Sequence, residues 1–312
     1  MTRAFLFPGQ GAQAVGMGRA LAESWPAAAA VFDEVDAALG EKLSALIWEG
    51  PAEELTLTHN AQPALMATSM AAMAALQAEG VEVTAAGFVA GHSLGEYSAL
   101  CAAGALGLAD TARLLRLRGK AMQAAVPVGE GAMAAILGLD HDTVAAIAHE
   151  AAGDEVCAAA NDNDPAQVVV SGHAAAVARA VDLAKARGAK RALMLPVSAP
   201  FHCALMQPAA EAMAEALAGV AIRPPRVPLV ANVQAAPVTE PDEIRRLLVA
   251  QVTARVRWRE SVLWMGREGG VDGTWEIGSG KALSGMVRRI LSGAATRAVG
   301  TPDEVRAAAA EV

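Results

Sequence analysis

The chain is poor in cysteine, in aromatic residues and in net positive charge, and each shortage closes off a class of protein. Its 312 residues include only three cysteines, Cys101, Cys157 and Cys203. They are too few and too scattered for a disulfide framework, which points to a reducing compartment. Aromatic residues make up 4%, with a single tyrosine, so no base-stacking surface is expected. The formal charge is −8. That balance argues against nucleic acid, whose binding depends largely on neutralising phosphates. No uncharged apolar run reaches the roughly 18 residues of a membrane span. The opening MTRAFLFPGQG lacks the long apolar stretch of a signal peptide. No membrane association and a cytoplasmic location are therefore expected. No His, Cys, Asp and Glu set has metal-ligand spacing, so no metal is expected either.

What is abundant is core material. Hydrophobic residues reach 54% against 19% charged, and the length suggests roughly two domains. RAFLFPGQG reads as a strand ending in a turn, with helix from about Met17 to Leu39. AQPALMATSMAAMAALQAEG reads as a buried helix stopped by Gly80, AAGFVAGHS as a strand, and LGEYSALCAAGAL as the next helix. LADTARLLRLRGKAMQAAV continues the alternation, which predicts an α/β sheet with ligands beyond its strand ends. From about Gly131 the order becomes β-α-β-β-α-β, with VCAAAND and QVVVSG as the middle strands joined by the turn-rich NDNDPA; this is a ferredoxin-like unit. The expected division is a large α/β domain from 1–128 and 198–312, with a small subdomain at 129–197. The chain returns to the large domain through PRVPLVANV, a helix near residues 241 to 252, GVDGTWEIGSG and a C-terminal helix. A cleft between the two units would suit a substrate.

The chemistry centres on FVAGHSLGEYS. Gly91, Ser93 and Gly95 have the G-x-S-x-G spacing of a nucleophile elbow, in which glycines allow a sharp turn and close approach of a substrate. A plain glycine-rich turn with Ser93 as helix N-cap would read the same way. A serine hydroxyl needs a base, and His202 in SAPFHCALM is the candidate. His92 adjoins the serine but neighbours in sequence rarely aim at one atom. FPGQGAQAVG has Ala14 where a dinucleotide loop needs its last glycine. GSGKALS, with Trp275 before it and Ala282 within it, lacks the first glycine and the hydroxyl of a phosphate loop, so neither is read as a nucleotide site. The Gly9–Gly11 turn could instead aim the Gln10 N–H at an oxyanion, paired with that of Leu94 after the nucleophile.

Taken together, FPGQGAQ, NAQPALMA, GHSLGEYSAL, LRLRGKAMQ, SAPFH, ANV and EIGSGKAL resemble the malonyl-CoA:acyl carrier protein transacylases, in order, over about residues 4 to 290. The resemblance implies a hydrolase-like α/β domain, with a mainly parallel sheet and an inserted ferredoxin-like subdomain. It implies [acyl-carrier-protein] S-malonyltransferase activity through a malonyl-serine, serving fatty acid biosynthesis. Ser93 would be the nucleophile, His202 the base, Gln10 and Leu94 the oxyanion donors, and Arg118 the ligand of the malonyl carboxylate. The Gln251 backbone carbonyl would orient the histidine, and Gln62 and Asn161 would line the site. Malonyl-CoA and acyl carrier protein are the implied partners, no cofactor is needed, and a monomer is expected. The common GPGK is GSGK here, and Phe201 before the histidine favours malonyl over bulkier acyl groups. Two alternatives stand beside this reading. One is a serine thioesterase or esterase whose acid would be Asp164 or Asp182. The other is a malonyl transferase of polyketide synthesis or malonate decarboxylase.

Overall fold

The computed structural model describes residues 2–197 and 199–312. Ser198, where the second segment of the large domain was expected to begin, lies outside the described residues, as does Met1. The first strand, β1 (Thr2–Phe7), sits inside a six-stranded sheet. Its other members are β2 (Phe88–Gly91), β7 (Leu229–Val230), β8 (Pro237–Val238), β9 (Val271–Ile277) and β10 (Ala295–Val299), in the order β10-β9-β1-β2-β7-β8. All pairings are parallel except β7 with β8. A parallel sheet is covered on both faces, which explains why AFLF is an unbroken, fully buried apolar run. Alternation along β1 sends Phe5 and Phe7 into one core and Ala4 and Leu6 into the other.

The second sheet is built from β3 (Gly131–Leu137), β4 (Cys157–Asp164), β5 (Gln167–His173) and β6 (Arg191–Met194). It is antiparallel, in the order β4-β5-β3-β6. Ala134, Ile136, Val168 and Val170 pack under the helices His141–Ala152 and Ala174–Ala186. Met133, Ala135 and Val169 face the other way, into the core of the large sheet. The fold is thus the mixed α/β architecture expected, a mainly parallel sheet beside a βαββαβ unit.

Several details differ from the sequence reading. The helix expected from Met17 breaks at Trp25, which is extended, because Pro26 starts a second helix, Pro26–Leu39. Strands β8 and β10 and the helix Trp258–Arg267 were not foreseen. The strand read as VCAAAND runs two residues further, to the inner end of β4 at Asp164; of the turn-rich NDNDPA only Pro165 and Ala166 turn, and Asn161, Asp162, Asn163 and Asp164 are all buried. Partners from distant segments satisfy the side chains of Asp162, Asn163 and Asp164, which is what burial of such groups requires. Asn161 bridges Val256, and Arg259 grips the Asp162 carboxylate at 2.9 Å from both Nε and Nη2. His92 Nε2 lies 2.8 Å from Asn163 Oδ1, and Arg289 Nε donates to Asp164 at 2.7 Å.

Candidate active site

Strand β2 ends at Gly91, and the helix Gly95–Ala102 begins four residues later. Neither glycine has positive φ; that strain falls on Ser93 itself, with φ 53°. The glycines are needed for space rather than for turning. A Cβ on Gly91 would stand 1.9 Å from the Gly95 carbonyl carbon, and one on Gly95 would stand 2.2 Å from the Phe7 oxygen. Only hydrogen fits at these contacts, so the elbow is pressed against the end of β1. The Ser93 N–H donates to Asn232 Oδ1 at 2.8 Å, and Asn232 Nδ2 donates to the Gly91 carbonyl at 2.7 Å. Asn232 thereby holds both sides of the turn.

His202 arrives from a segment 109 residues away, with its Nε2 2.8 Å from Ser93 Oγ. Its Nδ1 lies 2.9 Å from the Gln251 backbone oxygen. A carbonyl only accepts, so Nδ1 carries the proton and the Nε2 lone pair faces the serine hydroxyl. Burial, and then the Arg118 charge, push the His202 pKa down to about 3. The imidazole is therefore neutral near pH 7 and free to take a proton. Asp164 is bound to Arg289, and Asp182 sits on an exposed helix face beside Lys185. Neither of these carboxylates has a hydrogen bond to His202.

Arg118, from the helix Leu108–Ala124, is almost completely buried. Its Nη2 donates to Ser93 Oγ at 3.1 Å and to Gln251 Oε1 at 2.8 Å, while Nη1 donates to Gln62 Oε1 at 2.8 Å. Its neighbours on the helix behave differently. Arg113 pairs with Asp110 at the surface, whereas Arg116 is largely covered and bonds Asn60 and Glu41. The cleft over the serine has a volume of about 410 Å³. Gln10, Leu94, Gln62 and Asn161 all line it with Ser93, Arg118 and His202. Met133, Ala135 and Val169 close it from the second sheet. All eight residues singled out from the sequence are therefore brought to one place, Gln251 through its hydrogen bonds to His202 and Arg118.

Sequence reasoning missed three members. Asn232 lies in the quoted ANV but had no role assigned, and the Gln251 side chain does as much as its backbone. Glu96 was overlooked although an acid in a helix of otherwise apolar and small residues is a visible signal; it is fully buried. Among the described residues no group of three or more His, Cys, Asp or Glu could hold a metal. No described helix is long and apolar enough to cross a membrane.

A parallel α/β sheet that presents a strained serine against a neutral histidine, under a cleft closed by a second sheet, defines an α/β acyltransferase or hydrolase. The acyl transferase domain model matches residues 4–295. Malonyl CoA-acyl carrier protein transacylases of Escherichia coli K12 and Bacillus subtilis 168 are each 48% identical, covering 98% of this chain and 98% and 95% of theirs. The acyl-carrier-protein S-malonyltransferase structure from Bartonella henselae superposes with a TM-score of 0.96 at 57% identity, covering 99% of this chain and 98% of its own. A malonyl-transacylase in complex with its type II PKS acyl-carrier protein superposes at 0.97 with 43% identity, over 100% of both chains. The chain belongs to the malonyl-CoA:acyl carrier protein transacylase family.

Proposed function

We propose that the protein transfers the malonyl group from malonyl-CoA to the phosphopantetheine thiol of an acyl carrier protein, through a malonyl ester on Ser93. The observation that carries this reading is the chain from Gln251 O through His202 to Ser93 Oγ, with Arg118 on the same oxygen. Ser93 Oγ attacks the thioester carbonyl as its proton passes to His202 Nε2. The Gln10 and Leu94 N–H groups serve the oxyanion, next to the positive end of the helix Gly95–Ala102. The C–S bond breaks and His202 returns the proton to the coenzyme A sulfur. The carrier thiol then repeats the sequence, giving its proton to His202 as its sulfur takes the malonyl group and Ser93 is regenerated. Arg118 supplies parallel donors for the free carboxylate, which lysine cannot imitate.

Residues 129–197 act in this scheme as a small unit that closes one side of the cleft. No cofactor enters, because the phosphopantetheine travels on the partner. The absence of a membrane-spanning helix among the described residues, with the low cysteine content, supports a cytoplasmic location. Histidine orientation by a carbonyl, rather than by a carboxylate, favours this reading over the thioesterase. Intact-protein mass after brief mixing with malonyl-CoA tests it. A malonyl adduct is expected in wild type and none in Ser93→Ala; an adduct that persists in the variant would reject Ser93 as nucleophile.

A further inference from the structure

Glu96 lies beneath the site and touches none of the reacting atoms. It is fully buried in the first turn of the helix Gly95–Ala102. Its Oε2 accepts from Gln251 Nε2 at 2.8 Å and from the Asn232 N–H at 3.1 Å, while Oε1 has no partner. Gln251 Nε2 also donates to the Ser93 carbonyl at 3.0 Å, and its Oε1 accepts from Arg118. A side-chain amide can sit either way round, and its ends differ only in what they donate or accept. Here both ends are dictated. The Glu96 oxygen bonded by the Asn232 N–H accepts, so Gln251 must turn Nε2 inward. Guanidinium can only donate, so Oε1 must face Arg118.

We propose that Glu96 is a positioning residue for malonyl selection: its acceptor oxygen locks the Gln251 amide, which holds the Arg118 guanidinium over Ser93. This rests on the reading of Arg118 as ligand of the malonyl carboxylate. The neutral amide between the two charges matters. A carboxylate directly on Arg118 would form a charge-assisted pair and occupy the donors that the substrate needs. With the amide interposed, the buried cation keeps an opposite charge nearby, the acceptors on its Nη1 and Nη2 are neutral groups, and its Nε has no partner among the described residues. Arg118 and Tyr97 are the charged and titratable groups coupled to Glu96 across this cluster. Burial holds the Glu96 carboxyl up at about 7, against the pull of Gln251, Asn232 and Arg118. A proton on the unpartnered Oε1 leaves Oε2 accepting as before, so the lock works in either state.

The test compares kcat/KM for malonyl-CoA and acetyl-CoA in four variants. Glu96→Gln keeps an acceptor oxygen and should hold the malonyl-to-acetyl ratio within about threefold of wild type. Glu96→Leu removes the acceptor, and the ratio should fall about tenfold or more, mainly through malonyl KM. The swap Glu96→Gln with Gln251→Glu places the carboxylate on Arg118 and should lower the ratio about a hundredfold. A merely structural role would lower both thioesters together and leave the ratio unchanged. Should Glu96→Leu fail to fold, the swap decides alone. A ratio kept by Glu96→Leu and the swap, or lost as fully in Glu96→Gln as in Glu96→Leu, overturns the role of Glu96. Arg118→Ala separates the two levels: if it alone depresses malonyl transfer, only the Glu96 role has failed. If it depresses both thioesters equally, the reading of Arg118 has failed with it.

Discussion

Arg118 bears on two properties at once, because one guanidinium faces both the serine oxygen and the histidine. A carboxylate entering this cleft loses hydration and needs a fixed cation in return. Arg118→Ala should weaken malonyl transfer by about 2–5 kcal/mol, the scale for truncating one partner of a buried charged pair. Acetyl transfer should be unchanged or improved, and kcat/KM for both thioesters measures the difference. The same charge is the second cause, after burial, of the depressed His202 pKa. Loss of a nearby cation stabilises imidazolium, so the acid limb of acetyl transfer should move to higher pH in Arg118→Ala. Wild type should stay active well below the ordinary histidine range of about 6.5. A limb at the same pH in both proteins would show that the Arg118 charge does not set the histidine pKa.

At the scale of elements, the site depends on two contacts that look unremarkable in the sequence. One is the approach of the elbow to β1. Gly95→Ala would drive a methyl group into the Phe7 carbonyl, which is backbone and cannot swing aside. Destabilisation of about 3 kcal/mol or more is expected, at the upper end of overpacking, and urea unfolding would measure it. The other is the inner end of β4. Asp162 is fully buried and its carboxylate is held by Arg259, which is 27% exposed. Arg259→Met would leave that charge unpaired in the interior, costing about 3–5 kcal/mol. Arg259→Lys should recover part of the loss. Equal thermal midpoints for Arg259→Met and wild type would mean that water reaches Asp162 after all.

For the whole molecule, the question is where an acidic carrier could dock on a chain that is itself acidic. Six basic residues near the small unit and the C-terminal helices present themselves, and the structure divides them. Lys185 pairs with Asp182, Arg187 with Glu150, and Arg289 with Asp164. Lys190, Arg191 and Arg288 have no ion pair among the described residues, and Arg288 instead donates to Thr296. Lys190 and Arg191 are exposed at β6, an edge strand whose continuation, Leu195 to Val197, lines the cleft. Reversing both charges should raise the carrier KM and weaken its salt dependence while malonyl-serine formation is unchanged. Reversing Lys185 and Arg187 should have the smaller effect. Stopped-flow acylation and steady-state transfer, measured on both pairs, separate the two steps, and no change in the carrier step for Lys190 and Arg191 would place the docking face elsewhere.

The sequence by itself determined what depends on near neighbours. An apolar run ending in GHSLG makes a strand, a tight turn and a helix, because spacing alone decides which groups can crowd there. The alternation of elements likewise carried the β-α-β-β-α-β order, and the chain of short motifs carried the family. Tertiary structure decided everything that depends on partners far along the chain. Ser93 meets His202 across 109 residues and Gln251 across 158, and no local signal encodes the angle at which those segments arrive. It also decided the fate of NDND, whose polar composition reads as turn-rich until Arg259, His92 and Arg289 are seen to satisfy Asp162, Asn163 and Asp164. Glu96 follows the same logic. An acid can be buried beneath a reaction centre only where packing brings donors to it, and those donors, Asn232 and Gln251, come from parts of the chain more than a hundred residues away.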